Sequence, residues 1–120
     1  MEKGYKKLIV WQKADELAYQ VYLATKKFPK EEMFSLTSQI RRASSSIPTN
    51  IAEGCGRGTD KDFARFVQIA MGSASELEYL ILLSFELKYL AEENFKVINN
   101  ETIDTKKMLS SLLKTLRAKS

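Results

Sequence analysis

The chain has 120 residues, 44% of them hydrophobic and 28% charged, with a formal net charge of +4 and a pI near 9.2. Histidine is absent and Cys55 is the single cysteine, which excludes imidazole general bases, Ser-His and Cys-His nucleophile pairs, intrachain disulfides and the usual zinc sites. The length fits one domain over residues 1–120 with a single core, and the composition points away from an enzyme, a cofactor, a metal or a small-molecule substrate. Unbroken apolar runs fall far short of the roughly 20 residues of a membrane span, and no signal-peptide pattern is visible. The expectation is a cytoplasmic protein without membrane contact.

Helical spacing recurs four times and no segment alternates as a strand does. The first helix runs from about Leu8 to Phe28, with Val10, Ala14, Leu17, Val21 and Ala24 on one face, and Pro29 closes it. The second starts near Ser35, a fair N-cap, and carries Leu36, Ile40, Ala43, Ile47 and Ile51 in one stripe. Pro48 lies inside it, so this helix is kinked or broken there; the hydroxyls of Ser44, Ser45 and Ser46 are candidates to satisfy the carbonyl that Pro48 frees. Gly54, Gly56 and Gly58 end the helix by offering left-handed positions. Thr59 with Asp62 reads as a capping box that opens the third helix, whose face of Phe63, Val67, Ala70, Ala74, Leu77, Ile81 and Ser84 continues to about Leu90. The fourth begins near Glu92 or Glu93 and carries Phe95, Ile98, Leu109, Leu112 and Leu116. Four long helices with short connections predict an all-α, antiparallel up-down-up-down four-helix bundle. Phe66, Ile69, Leu80, Leu83 and Leu87 widen the apolar surface of the third helix beyond one face, which predicts an oligomer with helices one and three among its contacts.

The strings Leu36-Thr37-Ser38-Gln39-Ile40-Arg41-Arg42-Ala43, Ser46-Ile47-Pro48-Thr49-Asn50-Ile51-Ala52-Glu53-Gly54 and Gly56-Arg57 resemble the four-helix bundle family encoded in intervening sequences of bacterial 23S ribosomal RNA genes. Val10-Trp11-Gln12-Lys13-Ala14, Phe28-Pro29-Lys30-Glu31-Glu32 and Gly72-Ser73 with Glu76-Leu77 extend the resemblance over nearly the whole chain. Met71 and Cys55 depart from it, standing where Arg and an aromatic residue are frequent. The resemblance implies a homopentamer without catalytic activity. It extends to the accessory protein of diversity-generating retroelements, a basic bundle associated with nucleic acid, at the level of fold and charge alone.

Charge alternates along the chain: residues 1–30 carry +4, residues 72–93 carry −4 and residues 105–120 carry +5. Antiparallel topology gathers Lys3, Lys6, Lys7, Arg57, Lys61, Arg65, Arg117 and Lys119 at one end, against Glu2, Asp60 and Asp62. Such an end would bind RNA or DNA through phosphates, with steep salt dependence and little sequence preference. Tyr5 and Trp11 lie close enough to stack on exposed bases. The alternative is a homo-oligomeric protein-interaction scaffold with no nucleic-acid ligand. Arg57, flanked by glycines, either meets phosphate or pairs with Glu53 one turn earlier. The remaining polar candidates read as structural. Glu53 is expected beside Trp11 and Lys61, Glu76 beside Gln39 or Arg42 as a half-buried ion pair, and Asn50 as a register-fixing polar residue on the inner face.

Overall fold

In the computed structural model, which describes residues 4–119, the chain forms four α-helices: α1 (Ile9–Thr25), α2 (Leu36–Cys55), α3 (Asp60–Glu86) and α4 (Glu92–Lys119). Short 3-10 turns at Gly4–Lys7 and Lys30–Glu32 precede α1 and α2. The helices pack side by side, and no strand occurs among the described residues. The architecture is an all-α four-helix bundle in which each helix packs on two others and α3 makes the most extensive contacts, with α2 and α4.

The apolar stripes fill the core. Ala14, Leu17 and Val21 of α1 meet Ile40, Ile47 and Ile51 of α2, with Val67, Ala70, Ala74, Leu77 and Ile81 of α3 and Leu109 of α4. The α4 face is less apolar than its neighbours, because Thr102 and Thr105 are fully buried in it. Their hydroxyls donate to the carbonyls of Ile98 (2.7 Å) and Glu101 (2.8 Å), so the side chains enter the core with their polar groups satisfied. Residues 98, 102, 105, 109, 113 and 116 therefore form a three-four stripe that apolar residues alone do not mark.

The helix ends differ from expectation for local reasons. Thr59 Oγ1 accepts the Asp62 N–H at 3.2 Å and opens α3 as expected. Ser35 stands at the α2 N-cap position, yet its hydroxyl donates to Glu32 Oε1 (2.7 Å) instead of capping. α1 ends at Thr25 rather than Phe28, and α3 ends at Glu86 rather than Leu90, because Lys88 turns into the left-handed region at φ 67°. α2 runs unbroken through Pro48. Its serines do not serve the freed carbonyl: Ser44 and Ser45 donate to the carbonyls of Arg41 and Arg42, and Ser46 pairs with Ser73 of α3 at 2.8 Å.

Of the three glycines after Ile51, only Gly58 is left-handed, at φ 95°. Gly54 is instead a buried helical residue where α2 and α3 touch: a Cβ there would lie 2.7 Å from Phe66 Cβ and 2.9 Å from Phe63 Cδ1. α3 also holds an 18-residue window of mean hydropathy 1.3, long and apolar enough by composition to cross a membrane. Counting unbroken apolar runs overlooks that window, which belongs here to a helix packed between α2 and α4.

At the opposite end from Gly54, Tyr89 packs on Phe28 and its hydroxyl donates to Glu32 Oε2 at 2.9 Å. This clamps the α1–α2 connection to the α3–α4 turn. The Ser35 and Tyr89 hydroxyls hold the Glu32 carboxyl below its ordinary value of 4.5, and the bond to Glu32 holds the Tyr89 phenol above 10.0. The lowered carboxyl contributes stability that is complete above pH 4.5 and disappears as pH falls through its folded value. The raised phenol contributes stability that is complete below pH 10.0 and is lost above it.

Gly54→Ala should destabilise the bundle by about 1–3 kcal/mol in chemical unfolding, because helix backbones rather than flexible tips must move. Gly72→Ala, where an added Cβ meets nothing within 4 Å, should stabilise the folded chain by about 0.5–1 kcal/mol. Tyr89→Phe should lower the melting temperature at neutral pH and make stability fall less steeply on acidification, as read in melts taken from neutral pH to below 4.5.

Candidate nucleic-acid interface

The connection between α2 and α3 covers only residues 56–59, so the bundle end is built from the last turn of α2, the first turns of α3 and the last turns of α4. Gly54 permits Phe63 and Phe66 to approach α2 closely. Phe66 is thereby seated at the α2–α3 junction, and the guanidinium carbons of Arg57 and Arg65 both lie 4.8 Å from its ring centroid. Such stacking contributes about 0.5–1 kcal/mol at an exposed site and leaves the N–H edges of each guanidinium available.

Arg65 faces a second arrangement on its other side. Lys61, Asp62, Arg65, Gln68 and Arg117 line a surface groove of about 470 Å³ between the start of α3 and the end of α4. Arg117 donates to Gln68 Oε1 at 2.8 Å, which fixes the α4 arginine against α3. Carboxylates hold the remaining arginines loosely: Arg65 is 3.9 Å from Asp62, and Arg57 is 3.6 Å from Glu53. All four side chains are about half exposed, so each pair contributes only about 0–1 kcal/mol and is readily exchanged.

Four of the cations expected at this end are thus brought into one connected arrangement: Arg57, Lys61, Arg65 and Arg117. Lys6 and Lys7 lie on the N-terminal 3-10 turn, which packs against α2; the Lys6 carbonyl accepts from Gln12 Nε2 at 2.9 Å. Lys119 ends α4 and is exposed, outside the groove. Lys3 and Glu2 lie outside the described residues.

The structural polar residues divide differently from expectation. Glu76 and Arg42 are both exposed and make no ion pair among the described residues, so the expected half-buried pair does not form. The tie between α1 and α2 comes from Arg41 instead. Its Nε donates to Thr25 Oγ1 (2.9 Å) and its guanidinium lies 4.8 Å from the Tyr22 ring centroid. One residue is about 100° on a helix, which moves the neighbouring arginine from solvent to the helix–helix seam. Glu53 is exposed and pairs with Arg57 rather than Lys61, because the α2–α3 contact register runs further along α3 than a turn at 56–58 would place it. Asn50 is half-buried and donates to the Ser46 carbonyl (2.8 Å) and hydroxyl (2.9 Å); through the Ser46–Ser73 contact this network reaches α3. Helices α3 and α4 are joined by Lys106–Glu78 at 2.8 Å, and α1 and α4 by the Lys13–Glu101 ion pair.

No curated protein sequence matches this chain. A solved structure of a protein with unknown function from the S23 ribosomal protein family of Bacteroides thetaiotaomicron is similar, with a TM-score of 0.80 and 30% identity over 88% of this chain and 96% of that one. The model of the 23S rRNA-intervening sequence protein family matches residues 6–111. With its four-helix bundle and this match across most of its length, the chain belongs to the 23S rRNA-intervening sequence protein family.

Proposed function

We propose that this protein is a non-enzymatic accessory factor that binds RNA or DNA phosphates through the basic end of its bundle. The observation that carries this reading is the joining of Arg57, Lys61, Arg65 and Arg117 around Phe66 and the α3–α4 groove. Arginines in fixed planes suit phosphate oxygens, and their pairing to exposed carboxylates at 3.6–3.9 Å leaves them open to exchange for a phosphate. Lys6, Lys7 and Lys119 add positive charge at the margin without fixed geometry.

A second reading, a homo-oligomeric scaffold, rests on a different surface. Ile69, Tyr79 and Leu82 of α3 remain 44%, 58% and 40% exposed on the side of the helix that none of its bundle neighbours covers. Gly72 lies in the same helix with open space around it, so packing within one copy gives no reason for a residue that weakens a helix. The proposed assembly is the pentamer that the family resemblance implies, with this face among its contacts.

Fluorescence anisotropy with a structured RNA at two salt concentrations tests the first reading, and flat curves at low salt would overturn it. Replacing Arg57, Lys61 and Arg65 together by Ala should weaken binding to all sequences alike and flatten the salt slope by about one unit per lost phosphate contact. If Arg57 acts only as the partner of Glu53, Arg57→Ala should lower the melting temperature and leave binding unchanged. Light scattering at micromolar concentration addresses assembly, where the expected mass is a multiple of the chain and a monomer mass would exclude the scaffold.

A further inference from the structure

We infer that the ligand of this end is single-stranded nucleic acid, with an unpaired base held in the groove between Trp11 and α2 while the strand beyond it runs over Arg57 toward the α3–α4 groove. The inference rests on the nucleic-acid reading above and specifies its substrate. The groove, about 570 Å³, is lined by Tyr5, Trp11 and Asp15 on one side and Pro48, Ala52 and Glu53 on the other. Tyr5 meets Trp11 edge-on, with centroids 5.0 Å apart and planes at 65°, which braces the indole as a wall. Facing it is Ala52, with the buried Pro48 forming part of the groove floor.

A base is a flat plate with a polar rim, and it can stack on an aromatic wall whatever its identity. The rim of this groove carries two carboxylates, Asp15 and Glu53, which repel phosphate and accept from base N–H groups. Phosphates are therefore directed outward to the cations. The route is continuous: Glu53 joins the groove to Arg57, Phe66 joins Arg57 to Arg65, and Arg65 lines the second groove with Lys61 and Arg117. A duplex keeps its bases stacked and paired inside, so it could use the cations and not the aromatic groove.

Trp11 is the single tryptophan of the chain, so its emission reports the groove directly. A short unstructured RNA oligonucleotide, the same oligonucleotide annealed to its complement, and inorganic polyphosphate should each be titrated while anisotropy, or light scattering for polyphosphate, and Trp11 emission are followed. The single strand should quench Trp11 with the same midpoint as its anisotropy change, and duplex and polyphosphate should leave the emission unaltered. Trp11→Leu should weaken single-strand binding about tenfold or more and leave duplex binding unchanged. Should that variant fold poorly by circular dichroism, Tyr5→Ala and the wild-type quench decide the matter. Equal affinity for single strand and duplex with constant Trp11 emission would overturn this inference and leave phosphate binding standing. Absence of binding to any nucleic acid at low salt would overturn both.

Discussion

The missing side chain at Gly54 sets the geometry on which the basic end of the bundle depends. Because that position has no Cβ, the last turn of α2 sits directly against Phe63 and Phe66 at the start of α3. The close approach buries Phe66 to 7% exposure while keeping its ring near the surface, where two arginines from different elements stack on it. Arg57 belongs to the connection and Arg65 to α3, so without this contact their charges would be on independent, mobile side chains. Two like charges gathered on one ring repel each other. The ring quadrupole, with Glu53 and Asp62 nearby, offsets part of that repulsion.

The fold was legible in the sequence because three of its four helices bury apolar stripes with a 3.6-residue period. The α2 and α3 stripes correspond to the buried residues nearly position by position, and Thr59 marks the start of α3 through a bond that its residue type and spacing foretell. Thr102 and Thr105 escaped such a reading, since a threonine bonded to the carbonyl a turn earlier behaves in the core as an apolar residue. The stop at Lys88 was hidden as well. A lysine gives no sign of a left-handed turn, and the turn is held by the Tyr89 clamp to Glu32 from a distant part of the chain.

The site was legible in its composition and not in its geometry. A count of charges at one end of an antiparallel bundle locates the cations, because topology alone brings chain segments together. Which cations share a groove depends on side-chain rotation about each helix, and there the sequence offers less. Arg41 and Arg42 are adjacent and chemically identical, yet one ties α1 to α2 and the other faces solvent. The role of Phe66 required the Gly54 contact, which appears in the sequence only as one glycine among three.

Placing the basic groove and the exposed apolar face on one helix has a mechanical consequence. The groove uses the first turns of α3, from Lys61 to Ile69, whereas Gly72, Tyr79 and Leu82 occupy its later turns. Lys61 and Tyr79 are separated by about 27 Å along the axis at 1.5 Å per residue. Ile69 sits where the two regions meet, lining the groove and contributing exposed apolar surface. The proposed assembly, centred on the later turns, would border the cation groove at Ile69 and present several copies of the basic end together. Under the proposed function, a single end with four cations would bind only weakly at physiological salt, because counterion release contributes less as salt rises. Several ends reaching one strand raise the effective concentration of every contact after the first, so affinity would come from repetition rather than from a deeper site.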